Sequence, residues 1–174
     1  MPNIHPISTA IAVLEYTGKP YSVLQIGAYV GASDNDPIWP IFSSGEIQHG
    51  TLVAVEPVPE HYDALVQNYS PFPNVRCLNL AVSSADGIQP IYRLGLDPET
   101  YGQPEWLEQI SSLRLDRLGK LWDSFEGTDP ANETAGNFAR QFRCADLINA
   151  ATLKTTLKLA QIDIPDLIVI DAEG

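Results

Sequence analysis

The chain has 174 residues, 44% of them apolar, with 22 acidic against 10 basic side chains and a formal charge of −12. That length suits one domain with a real buried core. Scattered Lys and Arg in such small number do not neutralise a row of phosphates, so nucleic acid and anionic membrane are poor partners.

No uncharged apolar run is long enough to span a bilayer, and Met1–Pro6 lacks a basic stretch followed by an apolar one. No secretory signal is read, and a cytoplasmic protein is expected. Cys77 and Cys144 have no metal-type spacing and read as reduced, buried thiols. Asn132-Glu133-Thr134 matches a glycosylation sequon, which outside a secreted chain is a chance match.

In chain order, Ser8 is placed to cap a helix with Ala10, Val13, Leu14 and Thr17 at helical spacing, and Gly18 to end it. Val23–Gly31 reads as a buried strand entering a glycine turn, with Val23, Leu24 and Ile26 suited to a strand covered on both faces. Gly27 and Gly31 let the backbone bend sharply and approach a ligand. Asp36-Pro37 then reads as an N-cap with a proline at the first helical position, ahead of Ile38, Ile41 and Phe42.

Leu52–Val55 is a second apolar strand ending on Glu56-Pro57, and Pro59 starts a helix with Tyr62, Leu65, Val66 and Tyr69 on one side. Val75–Val82 reads as a third strand. Strand–helix repeats of this kind predict right-handed crossovers and a parallel sheet.

The pattern changes after Ser83. Ile88–Leu94 reads as a short extra strand, with Pro90 suggesting an edge. Pro104–Ile110 reads as a short helix, and Leu118, Leu121, Trp122 and Phe125 as a helical stripe. Glu126–Asn137 reads as a polar, mobile loop. Phe142–Ala145 reads as a short strand. Thr152 caps a helix over Leu153–Gln161, with Leu153, Leu157 and Ala160 facing inward. Leu167–Ile170 is a fourth core strand, closing on Asp171-Ala172-Glu173-Gly174.

These elements predict a single α/β domain over residues 1–174. It is a doubly wound, mostly parallel, Rossmann-like sheet with helices on both faces and an insertion at about 87–137. A fully apolar strand is normally flanked on both sides. The chain is therefore expected to be the N-terminal fragment of a longer protein, truncated after its fourth core strand. The alternative is a short domain that covers this edge by homo-oligomerising.

In a parallel sheet the strand ends after Gln25, Val55 and Ile170 face the same side. Glu56 is placed to accept hydrogen bonds from both hydroxyls of a ribose; otherwise it is a carboxylate favoured by a helix dipole. Asp171 and Glu173 are placed to contact a ligand amino group, hold a divalent metal or act as a base; otherwise they are a solvated loop pair. None of His5, His49 and His61 is assigned to catalysis.

Short pieces in order carry a family resemblance: Gln25-Ile26-Gly27-Ala28 with Gly31, Asn35-Asp36-Pro37-Ile38, Val55-Glu56-Pro57, Asn74-Val75, Asn79-Leu80-Ala81-Val82, Pro104-Glu105-Trp106, Ser111-Ser112-Leu113 and Ile170-Asp171-Ala172-Glu173-Gly174. The chain resembles the FkbM-type methyltransferases, a branch of the class I S-adenosyl-L-methionine-dependent enzymes. The resemblance implies methyl transfer to an oxygen of a small molecule, sugar or other secondary metabolite.

It also implies that Gln25, Gly27, Ala28 and Tyr29, with Gly31 in the turn, line the methionine part of the cofactor. Glu56 would hold the ribose, Pro57 border the adenosine, Ala81 lie near the adenine, and Asp171 face the methionine end or the substrate. Most class I methyltransferases carry an acidic residue where Gln25 stands, although this branch often has Gln. Tyr29-Val30 replaces the Asn-Asp expected in this branch. Other readings are a nicotinamide-dependent Rossmann oxidoreductase, against which stands the missing third glycine of the turn, and a non-catalytic nucleotide-binding or interaction domain.

Overall fold

A computed structural model of the chain describes residues 6–33, 36–124, 127 and 130–172. In chain order its elements are helix α1 (Pro6–Tyr16), strand β1 (Tyr21–Ile26), helix α2 (Trp39–Phe42), β2 (Gly50–Val55), α3 (Pro59–Tyr69), β3 (Val75–Leu78), β4 (Ala81–Val82) and β5 (Gly87–Leu94). Two 3-10 turns follow, Glu99–Tyr101 and Glu105–Gln109, and then β6 (Ser111–Ser112), α4 (Leu115–Asp123), α5 (Pro130–Gln141), β7 (Arg143–Ala151), α6 (Leu153–Ala160) and β8 (Leu167–Ile170). The chain divides into two compact units, one drawn from residues up to Gly87 together with Asn149–Asp171, the other from Ile88–Ile148.

The first unit holds a four-stranded sheet in the order β3-β2-β1-β8, parallel at every pairing. Successive residues of a strand point to opposite faces, and here both faces are apolar. Val23, Leu52, Ala54 and Val169 pack with Ile11 of α1, Phe42 of α2, and Leu65 and Tyr69 of α3. Leu24, Val53 and Val55 pack on the other side with Leu80, Ala151 and Ala160 of α6. Helices on both faces of a parallel sheet make this a doubly wound, mixed α/β architecture. β8 adds to β1, with Ile26 opposite both Val55 and Ile170. It is an end strand of the sheet, and Ile170 is 69% exposed.

Several local expectations are corrected. Helix α1 begins at Pro6, so Ser8 lies inside it, and the buried residue is Ile11 while Val13 is exposed. Helix α2 begins at Trp39, so Pro37 precedes it and Pro40 falls in its first turn. The expected single strand Val75–Val82 is broken. β3 stops at Leu78, and Ala81-Val82 pair instead with Ala150-Ala151 at the end of β7. The break coincides with Asn79, whose side-chain amide donates to the carbonyls of Glu56 and Pro57. In α3, His61 is buried with Leu65 and Tyr69 while Val66 is exposed. Thr152 caps α6 as expected, accepting from the Thr155 N–H, but Gln161 is the left-handed C-cap and Leu153 is exposed.

In the second unit β5 runs beside β7 and pairs antiparallel with β6 around a core of Leu94, Leu107, Leu118, Ala135 and Ala139. β5 is therefore not an edge strand, although β6 pairs only with Tyr92 and Arg93, leaving Pro90 beyond that pairing. The expected loop Glu126–Asn137 is corrected: residues from Pro130 onward form α5, which buries Ala135, Gly136 and Ala139. Its packing face is made of small residues, so it shows no stripe of large apolar side chains. The expected short strand Phe142–Ala145 is the start of the longer β7. Leu118 is buried in α4, while Phe125 and Glu126 lie outside the described residues.

Gly31 and Gly45 separate a backbone requirement from a packing one. Both have left-handed φ, +73° and +75°. A Cβ on Gly31 would sit 2.8 Å from the Tyr69 ring and 3.0 Å from Leu65, whereas one on Gly45 meets nothing within 4 Å. Gly45→Ala is expected to cost about 1–2 kcal/mol from backbone alone. Gly31→Ala is expected to cost about 1–3 kcal/mol more from overpacking. Urea denaturation of both variants checks the difference.

Candidate ligand site at the carboxyl ends of the strands

The register places four strand ends in a row. Ile26 faces Val55 and Ile170, and Val55 faces Leu78, so Gly27, Glu56, Asn79 and Asp171 each follow at the same edge. The row is pinned by the backbone. The N–H groups of Gly27 and Ala28 both donate to the Val55 carbonyl at 3.0 Å, Glu56 N–H donates to Leu78, and Asp171 N–H donates to Ile26.

The glycine turn after β1 has left-handed residues at Gly27, Tyr29 and Gly31. The Tyr29 N–H donates to Glu56 Oε2 at 2.9 Å, and the Val58 N–H donates to Glu56 Oε1 at 2.9 Å. Glu56 is 5% exposed. Its carboxylate thus braces the turn after β1 against the entry to α3. His61 Nδ1 lies 3.8 Å from Glu56 Oε1, and the His61 ring meets Tyr29 edge-on with centroids 4.5 Å apart. Asn79 holds the Glu56 and Pro57 carbonyls.

A second polar cluster lies beneath the turn. Gln25 is 1% exposed and donates from Nε2 to Asp36 Oδ2 at 2.8 Å. Asp36 Oδ1 accepts from the N–H groups of Ile38, at 2.6 Å, and Trp39, at 2.9 Å, so it caps the start of α2 from three residues upstream. Among the described residues, Gln25 Oε1 and the Tyr69 hydroxyl are buried without a hydrogen-bond partner. Burial holds the Asp36 carboxyl above the usual carboxylate range, and the nearby Asp171 charge adds to this against its three N–H donors.

Of the residues singled out from sequence, Gln25, Gly27, Tyr29, Glu56 and the partly buried Pro57 gather around the turn, and Asp171 stands exposed at the end of β8. Ala28 packs into the apolar core and Gly31 lies against the Tyr69 ring. Ala81 is buried in β4, outside the row of strand ends. Glu173 and Asn35 lie outside the described residues. Asp36 was legible only as a cap, and the burial of His61 beside Glu56 has no signal in the sequence. No group of three or more His, Cys, Asp or Glu side chains suited to a metal occurs among the described residues.

A groove of about 500 Å³ opens at the opposite, amino ends of the strands, lined by Tyr21, Ser22, Thr51, Arg76 and Asp166 among others. It holds neither the glycine turn nor the buried carboxylates, so the candidate site is set at the carboxyl edge. Comparison with protein-family models, curated proteins and solved structures finds no match.

Two outcomes follow from the carboxylates. In Glu56→Gln one acceptor oxygen replaces two, leaving the Tyr29 or Val58 N–H unpaired. This is expected to cost about 1–3 kcal/mol in urea denaturation. For Asp36, a native pKa above the unfolded value means that the folded chain holds the proton more tightly. Its stabilising contribution is present at low pH and is lost as pH rises through the raised native value. The unfolding free energy of wild type is therefore expected to fall relative to Asp36→Asn as pH rises above about 4.

Proposed function

We propose that the chain is a cytoplasmic S-adenosyl-L-methionine-dependent O-methyltransferase domain of the FkbM type, acting on a hydroxyl of a small molecule, sugar or secondary metabolite. One observation carries this reading over the nicotinamide one. The N–H groups of Gly27, Ala28, Tyr29 and Gly31 are all taken inside the protein, by Val55, Glu56 and Ala28. A dinucleotide pyrophosphate is held by outward N–H groups at such a turn. A nucleoside without phosphate needs instead an acceptor for its hydroxyls, and Glu56 stands beside the turn.

The residues present fit that group. Each Glu56 oxygen accepts one backbone N–H and keeps a second lone pair for a ribose hydroxyl. Gln25 Oε1 is a buried acceptor with no partner among the described residues. Gln25 and Tyr29 would border the methionine end, and Pro57 the adenosine. When bound, the cofactor supplies an activated sulfonium methyl, so transfer to a hydroxyl is an in-line displacement that mainly requires positioning. Asp171, exposed at the end of β8, is the carboxylate assigned to take the hydroxyl proton, and Glu173 shares that assignment.

Thermal unfolding with each ligand tests the reading. S-adenosylhomocysteine at a hundred times its Kd is expected to stabilise the chain by about 2.7 kcal/mol. NAD is expected to leave the transition unchanged, and Glu56→Ala to abolish the shift. Stabilisation by NAD alone would overturn the methyltransferase assignment.

A further inference from the structure

We propose that Asp36 is a positioning residue of the ligand site: it grips the Gln25 amide nitrogen so that Gln25 Oε1 is presented as a buried hydrogen-bond acceptor for an N–H or O–H donor on the ligand. The inference rests on the ligand reading above and assigns to Asp36 a role beyond helix capping.

The orientation of an amide is set by its partners. Asp36 is fixed first, because the Ile38 and Trp39 N–H groups hold its Oδ1. Its Oδ2 is then turned on Gln25 Nε2 at 2.8 Å. A carboxylate only accepts, so the Gln25 amide meets it with nitrogen, and its oxygen is left pointing elsewhere. That oxygen is buried, and no donor among the described residues reaches it. The Tyr69 hydroxyl, buried on the same face, does not satisfy it either. An unpaired buried acceptor is costly, so a donor from outside the chain that met Gln25 Oε1 would be bound favourably there. Gln25 stands two residues before Gly27, at the end of β1 that enters the turn.

The fixed amide gives a polarity test. In Asp36→Asn the new side chain retains an oxygen for the Ile38 and Trp39 N–H groups and gains a donor toward Gln25. Gln25 then turns over and shows its NH₂ to the site. The double variant Q25E/D36N keeps the net charge, accepts from the new amide with one oxygen and again leaves an acceptor facing the site.

Calorimetry on the whole chain with S-adenosylhomocysteine as probe is paired with thermal unfolding without ligand. Asp36→Asn is expected to weaken binding by about tenfold or more, with little change in Tm, and Q25E/D36N to restore it to within about threefold. Unchanged affinity in Asp36→Asn, as when only a buried water meets Gln25 Oε1, overturns the proposal. So does a parallel loss of Tm and affinity without rescue. A wild-type chain that ignores the probe overturns the methyltransferase reading, and the Gln25 side-chain amide signals in ¹H–¹⁵N spectra then decide the positioning role. Signals protected from solvent exchange in wild type and shifted in Asp36→Asn support it; identical signals overturn it.

Discussion

The carboxyl edge of the first unit depends on one buried carboxylate. Glu56 accepts the Tyr29 N–H with one oxygen and the Val58 N–H with the other. The turn after β1 and the entry to α3 are separate in sequence and share no backbone hydrogen bond at these positions. Glu56 therefore holds two loops in one geometry while remaining 5% exposed. Charge-assisted bonds of this kind are stronger than neutral ones, and their burial raises the penalty for losing either. The brace is possible because the parallel register sets Val55 level with Ile26, so the next residue of each strand emerges at the same height.

The main sheet was legible because its strands are short, fully apolar runs bounded by turn residues. Leu52–Val55 needs no alternation to declare itself, since both of its faces are packed, and Leu167–Ile170 is an equally apolar run although Ile168 and Ile170 are exposed. Helix faces were less legible. In α1 and α3 the apolar spacing admits more than one stripe, and tertiary packing chose Ile11 over Val13 and His61 over Val66. The segment from Pro130 failed for a different reason. Its buried face is Ala135, Gly136 and Ala139, which close approach favours and hydropathy does not mark.

The candidate site divides in the same way. Gly27, Glu56 and Asp171 follow apolar strands directly, so the register alone aligns them. Asp36 and Asn79 enter through side-chain bonds across the fold, to Gln25 and to the Glu56 carbonyl. No local pattern encodes such a bond. Asn79 shows this most plainly: within Val75–Val82 it reads as a polar position of a continuous strand, yet it ends β3 and fastens the neighbouring loop.

Tyr29 carries φ +49°, a conformation that residues with a bulky Cβ substituent adopt at a cost. The bond to Glu56 and the edge-on contact with His61 hold it there. The tolerance of this position to mutation is thereby asymmetric. Glycine and asparagine enter the left-handed region readily, whereas valine, isoleucine and threonine pull the backbone back toward the extended region. Variation at residue 29 is thus filtered by backbone shape before it is filtered by any contact that the side chain makes.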